Sequence, residues 1–446
     1  MKIIIAGAGD MGFHLARLLA SESQDIILID TNQQVLDYAQ SHLDVFVLKG
    51  NITSIKTLQE AEVHRADLLV AVTSSEENNL IGAILGKKMG AKMTLARVDH
   101  EEYTLPEHVG TFEQLGIDAL ISPRKLAAKE ISRLINRAAL TDVFEFEQGK
   151  LFLIGITLDS NSPIINLSVL ETAHLNPDLV FQPIAVLREQ KTIIPRSNTV
   201  FQVNDHVYFI TQKKYIDTIL QVTGKEPISV KRVMILGGGI TGRLTASMLE
   251  DKYQVILVEN NQEKCYNLAE RLPKTLVIYG DGRDVQLLEE EGLEGMDAFI
   301  AVTPNSETNI ITSLIAKKHG VKRTIALVEN IEYIHLSQNI GVDTLINRKL
   351  IAANNIFRYI RRGQIEDITS LHGVDAEVIE FVVKKNSAVT KKEIKNLSFP
   401  ENALIGGVIR GNESHIPRGD FRIAEGDKVV VFAMPNAIST IERLFN

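Results

Sequence analysis

Gly7-x-Gly9-x-x-Gly12 directly follows the apolar run Ile3-Ile4-Ile5-Ala6 and opens an amphipathic segment, and Asp30 ends the next apolar run. Glycines at this spacing between a strand and a helix suit a phosphate ligand. The first permits the turn, the second lets a pyrophosphate approach the backbone, and the third lets helix and strand pack closely. Amide hydrogens at the helix start then face the anion. A carboxylate at Asp30 can accept hydrogen bonds from ribose hydroxyls and repels a 2′-phosphate, and Thr31 beside it brings no compensating positive charge. The pattern therefore favours NAD or an adenosine nucleotide over NADP. The competing reading is a glycine turn that serves only the fold.

Thr73 and Ser74 follow the fourth apolar run, at the strand-end rim where open parallel sheets bind ligands. Their backbone or hydroxyls can contact a ribose, or they can simply cap the helix before Glu76-Glu77. Arg97 closes the fifth run and can neutralise phosphate, although an ion pair with Asp99 is equally simple. The same pattern returns later in the chain: Gly237, Gly239 and Gly242 repeat the turn, Glu259 replaces Asp30, and Thr303 replaces Thr73. Ser74 becomes Pro304 and Arg97 becomes Leu327, so a second nucleotide site is expected to be weaker or to select another nucleotide. Arg243, just after the last glycine, offers that site a positive charge from another direction.

Catalytic equipment is harder to find. The chain has no HExxH, no Walker A sequence and no G-x-S-x-G elbow. His100 sits near the fifth-strand rim, but Asn330 takes its place in the second copy. His14 reads as an ordinary polar contact of the first helix, and Cys265 as structural burial. A nucleotide fold without visible acid–base groups points to sensing, and no metal site is expected. An NAD-dependent oxidoreductase and a structural adaptor are the alternatives.

The elements that must hold these residues are written twice, at a displacement of about 230 residues. Val72-Thr73-Ser74-Ser75-Glu76-Glu77-Asn78-Asn79 aligns with Val302-Thr303-Pro304-Asn305-Ser306-Glu307-Thr308-Asn309, and Arg124-Lys125-Leu126 aligns with Arg348-Lys349-Leu350. Gly50 meets Gly280, and Asn204-Asp205 meets Gly426-Asp427. Residues 2–6, 26–30, 44–48, 67–72 and 93–98 read as buried strands, with helices near 11–21, 33–41, 54–61 and 76–89. Strands apolar on both faces imply a parallel sheet covered by helices. Ser122-Pro123 opens a further helix over about 123–139. Beyond about residue 140 the apolar runs and proline-rich turns suggest a smaller mixed sheet. The expected division is 1–140 and 232–365 for two Rossmann-like domains, 141–221 and 366–446 for two small domains, and 222–231 for a linker.

Composition narrows the classes. The 446 residues, at roughly 150 per domain, give about three domains. Lys+Arg number 48 against 56 Asp+Glu, which disfavours a polybasic nucleic-acid binder. With 45% hydrophobic residues the chain is not disordered, and with one cysteine it has no intrachain disulfide. No run approaches the roughly 18 apolar residues of a membrane span, so a soluble cytosolic chain is expected, able to reach a membrane through a protein partner.

The doubled glycine turns, Asp30 and Glu259, Val72-Thr73-Ser74, Arg97-Val98 and Val302-Thr303 together resemble the tandem RCK family, whose units are also called KTN domains with small C-terminal domains. These are the peripheral regulatory subunits of bacterial Trk potassium uptake. The resemblance covers the whole chain. It implies an α/β fold of two tandem Rossmann-like RCK units, each a parallel sheet with flanking helices followed by a small α+β domain. It implies NAD(H) as ligand, with ATP and ADP as regulatory ligands. Around the first nucleotide it places Gly7, Ala8, Gly9, Asp10, Met11, Gly12, Asp30, Thr73, Ser74 and Val98. Around the second it places Gly237, Gly238, Gly239, Ile240, Thr241, Gly242, Glu259 and Thr303. It further implies a homotetramer, a ring of eight RCK units beneath an integral membrane potassium-transporting subunit at the inner membrane.

Overall fold

The computed structural model describes residues 1–20, 24–136, 142–175, 180–189, 191–225, 230–330, 333, 341–361, 367–370, 376–385 and 387–445. The expected boundaries at 140/141 and 365/366, and part of the linker 222–231, fall outside these residues.

Six strands open the chain: β1 (Lys2–Ala6), β2 (Asp25–Asp30), β3 (Phe46–Lys49), β4 (Leu68–Ala71), β5 (Met93–Arg97) and β6 (Ala119–Ile121). They run parallel in the order β3-β2-β1-β4-β5-β6. Consecutive residues Ile3, Ile4 and Ile5 are all fully buried, because helices cover both faces of the sheet. The strands expected over 2–98 and the helices between them appear within about two residues of their anticipated ends; the helix expected over 123–139 starts at Pro123, and its anticipated end lies outside the described residues. β6 was not anticipated: at three residues it is too short to show a period.

The first small sheet comprises β7 (Asp142–Phe146), β8 (Leu151–Thr157), β9 (Phe181–Arg188), β10 (Lys191–Ile193) and β11 (His206–Thr211). Its order is β10-β9-β11-β8-β7 and every pairing is antiparallel. The expected mixed sheet is thus corrected. Short apolar runs bounded by turns look alike in either direction, and the pairing partners decide.

The second half repeats both layouts. β12 (Arg232–Leu236), β13 (Gln254–Glu259), β14 (Leu276–Tyr279), β15 (Ala298–Ala301), β16 (Arg323–Leu327) and β17 (Thr344–Ile346) form a parallel sheet in the order β14-β13-β12-β15-β16-β17. β18 (Asp367–Ser370), β19 (Glu377–Val382), β20 (Ala403–Arg410), β21 (Glu413–His415) and β22 (Lys428–Ala433) form an antiparallel sheet in the order β18-β19-β22-β20-β21.

Contacts gather the chain into two compact units, one of residues 1–132 with 232–359, the other of 133–231 with 360–446. Like therefore packs with like. In the second unit the small sheets share a core in which Phe146, Leu151 and Tyr208 meet Val378, Val430 and Phe432. Among the described residues no helix is long and apolar enough to cross a membrane.

Candidate functional site

A cavity of about 440 Å³ opens at the carboxyl ends of the first parallel sheet. Its walls come from five strand ends: Gly7 after β1, Asp30 and Thr31 after β2, Gly50 to Ile52 after β3, Thr73 to Ser75 after β4, and Arg97 of β5. β1 and β4 are neighbours whose connections leave in opposite directions, and ligands of open α/β sheets bind at that switch point.

The glycine turn explains itself sterically. Gly7 has φ of +108°, and a Cβ there would stand 2.8 Å from the Thr73 nitrogen. A Cβ on Gly12 would stand 1.7 Å from the Gly7 carbonyl oxygen, so helix Asp10–Ala20 can lie against β1 only without one. Gly9 is different: a Cβ would meet nothing within 4 Å. Its bareness serves no packing and leaves the cleft open to a phosphate chain.

Asp30 braces this turn. Its Oδ2 accepts the Ala8 N–H at 2.7 Å and its Oδ1 accepts the Asn32 N–H at 2.8 Å. Glu259 does the same in the second copy, accepting Gly238 N–H at 2.8 Å and Asn261 N–H at 2.9 Å. Each carboxyl oxygen keeps a further lone pair for a ribose hydroxyl.

Thr73 is tied inward. Its N–H and hydroxyl donate to Asn79 Oδ1 at 2.8 and 2.7 Å, and Asn79 Nδ2 donates to the carbonyls of Thr73 at 3.2 Å and Arg97 at 3.1 Å. Asn309 makes the matching bonds to Thr303, at 3.0, 2.6 and 2.9 Å, and to the Leu327 carbonyl at 2.8 Å. Both asparagines are buried. Sequence reasoning passed over them, although Asn79 and Asn309 coincide in the repeat. The helix cap belongs to Ser75, whose Oγ accepts the Asn78 N–H at 3.1 Å, and not to Thr73 or Ser74. Ser74 stands exposed on the cleft wall.

Arg97 combines both readings: it lines the cleft and holds Asp99 Oδ2 at 3.2 Å. Asp10 and Met11 also line the cleft. Ala8, Gly12 and Val98 lie outside its lining, and Val98 is buried with its N–H donated to Ile121. Gly50, Asn51, Ile52, Ser75, Asn78 and Lys349 also line the wall, without having been anticipated. The Gly50–Gly280 match in the repeat was a signal for the loop after β3.

In the second copy Gly237 has φ of +105° and a Cβ on Gly242 would stand 1.9 Å from the Gly237 carbonyl oxygen, while Gly239 again faces open space. Thr241 is buried, and Ile240 begins helix Ile240–Leu249. Arg243, expected to offer the second site a positive charge, pairs with Glu101 of the first copy.

The remaining candidates are structural. Burial, then the Arg17 guanidinium, lowers His14 to about 4, against a smaller opposing hydrogen bond with Asn354. Burial, with Glu259 nearby, raises the Cys265 thiol. His100 pairs with Glu76; burial would raise that carboxyl, but N–H donors from Asp99 and His100 and the His100 ring bring it below its usual range. Among the described residues no three His, Cys, Asp or Glu gather as a metal site. In the second unit a cavity of about 1170 Å³ is lined by residues of both small domains, including Arg196 and Arg418.

Comparison with known proteins agrees with this architecture. The TrkA-N domain model matches residues 3–123 and 233–348, and the TrkA-C domain model matches 153–224 and 378–446. The chain is 34% identical to the Trk system potassium uptake protein TrkA homolog of Archaeoglobus fulgidus, covering 100% of both. It is 34% identical to the TrkA protein of Haemophilus influenzae, covering 100% of this chain and 98% of that one. Among solved structures, the GsuK RCK domain superposes with a TM-score of 0.59 at 17% identity, over 100% of this chain and 94% of that one. The GsuK channel bound to NAD gives a TM-score of 0.60 at 17% identity, over 100% of this chain and 78% of that one. With two TrkA-N and TrkA-C units in tandem and full-length likeness to such proteins, the chain belongs to the TrkA family of Trk-system potassium uptake proteins.

Proposed function

We propose that this chain is a nucleotide-sensing regulatory subunit that gates a Trk-type potassium transporter. One observation carries the reading: the open glycine turn, its carboxylate brace and its asparagine clamp are built twice in a chain that matches TrkA proteins from end to end. We assign NAD(H) or ATP and ADP to the first cleft. Gly7, Gly9, Asp10, Met11, Asp30, Thr73, Ser74 and Arg97 stand in its wall, and Ala8, Gly12 and Val98 outside that lining. Gly237 to Gly242, Glu259 and Thr303 form the second site, which selects a different nucleotide or binds more weakly. A GsuK channel solved with NAD and a GsuK structure solved with ADP support this ligand class. The proposal includes the division near residues 140, 221, 231 and 365, a homotetrameric ring of eight units, and attachment to the cytoplasmic side of the membrane through the transporter.

A ligand shifts such a ring only by its unequal affinity for two conformations. A tenfold preference is worth about 1.4 kcal/mol per site, and several linked sites together bias a modest gap. The test is potassium flux through the reconstituted transporter with this protein, titrated with ATP, ADP, NAD and NADH. Nucleotides should alter flux while remaining unreacted. If they bind and the assembly forms but flux never changes, gating is overturned; steady turnover of NAD with a metabolite supports an oxidoreductase.

A further inference from the structure

The first cleft is completed by the second copy. Lys349, near the start of helix Arg348–Arg361, lines it, with Nζ 2.6 Å from Asp10 Oδ2 and 3.8 Å from Glu329 Oε2. The helix start is pinned by buried Asn347. Its Oδ1 accepts the Lys349 and Leu350 N–H groups at 2.9 and 3.1 Å, and its Nδ2 donates to the carbonyls of Val328 and Glu329 at 3.0 and 2.9 Å. The backbone is therefore held while the four-carbon stem can swing.

Among the described residues the second copy has no counterpart. Ile240 replaces Asp10, and Lys125, which corresponds to Lys349, donates instead to the Thr104 carbonyl at 2.9 Å and hydroxyl at 3.2 Å. Among the described residues, only the first cleft carries a cation from the other copy tied to an acid at the mouth of its glycine turn.

A phosphate chain entering there has the same sign of charge as Asp10 and competes for the same ammonium. The terminal phosphates of a nucleoside polyphosphate carry more charge, and extend further from the turn, than the single phosphate of AMP. An ammonium on a flexible stem, with three rotatable donors, suits such an exchange. We propose that Lys349 is the phosphate-reading group of the first site: it leaves Asp10 for the terminal phosphate of a bound adenosine polyphosphate, so that filling a site in the first copy changes a contact with the second. The inference rests on the first cleft being a nucleotide site.

Calorimetry on the full chain with AMP, ADP and ATP tests it, using Lys349→Met, Lys349→Arg, Asp10→Asn and Asp30→Ala. Lys349→Met should weaken ATP about tenfold, ADP less, and leave AMP within about twofold, as expected for loss of one charge-assisted contact. Lys349→Arg should restore the preference for ATP, and Asp10→Asn, which frees the lysine, should tighten ATP. In the Asp30→Ala background the ATP loss should add to the weakening already present, because the two side chains meet opposite ends of the ligand. Equal losses for AMP, ADP and ATP mean a structural role and overturn the proposal. Unchanged ATP binding in Lys349→Met, with binding still sensitive to Asp30→Ala, overturns it while the first-site reading stands. Wild-type binding that ignores Asp30→Ala removes the first-site reading and this inference with it.

Discussion

Asp30 has two tasks in one carboxylate. Spacing suggested the ribose; the fold adds the Ala8 N–H, so the acid also holds the glycine turn in shape. Asp30→Ala should therefore lower stability by about 1–3 kcal/mol, the cost of orphaned backbone donors, as well as weaken NAD and ATP. Thermal unfolding and calorimetry on the same preparation separate the two effects. Unchanged affinity and stoichiometry for both ligands would reject Asp30 as a nucleotide contact. His14 makes a pH prediction. Its ring takes a proton near 6.5 in the unfolded chain but only near 4 in the folded one, chiefly because it is buried. Between those values the unfolded state binds more protons, so this group's contribution is present above about 6.5 and is lost as pH falls toward 4. The loss is on the order of 1–3 kcal/mol, and His14→Gln should remove that part of the slope when urea unfolding is compared at pH 5 and pH 7.

At the scale of elements, Asn79 and Asn309 join each fourth strand's loop to the end of its fifth strand. Each side chain sits on the inner face of its helix, Glu76–Lys88 or Ser306–Lys318, and both accepts and donates there. Asn79→Ala leaves the Thr73 N–H and the Arg97 carbonyl without this partner, and should cost about 2–3 kcal/mol by urea unfolding. A loss within error of zero would show that water replaces the side chain. The strands and helices of the parallel sheets were legible because their periods are local: apolar runs for strands buried on both faces, caps and amphipathic spacing for helices. The asparagine clamp was legible only as a coincidence in the repeat. A polar residue on a helix does not announce which way it faces. The direction of the small sheets was illegible for a related reason, since a run such as Val207-Tyr208-Phe209-Ile210 is equally apolar in either orientation.

For the whole molecule, each small domain repeats an ion pair between a buried aspartate and a partly exposed arginine. Asp205 is fully buried; its oxygens take Arg188 Nε and Nη2, both at 2.7 Å, and the Gln202 N–H at 2.8 Å. Asp427 repeats this with Arg410, at 2.8 and 2.7 Å, and the Ala424 N–H at 2.7 Å. Removing one partner leaves a charge and a turn donor unmatched. Asp205→Ala should thus destabilise by about 1–3 kcal/mol, since the arginine left behind can reach water. Because the two small sheets share one core, Asp427→Ala should lower the unfolding midpoint of the same unit, and two separate transitions would argue against that shared core.

The sequence by itself determined the duplication, the parallel sheets, the glycine turns and the acidic residue after each second strand. The duplication follows from ordered matches about 230 residues apart, and the rest from spacing within some thirty residues, where the backbone leaves few choices. Tertiary structure alone decided that the two glycine-turn domains form one unit and the small domains another, that Arg243 is held by Glu101, and that Lys349 enters a cleft whose Asp10 lies 339 positions away. Such contacts depend on which buried faces meet and on where a long side chain then ends, and neither is written in any local pattern.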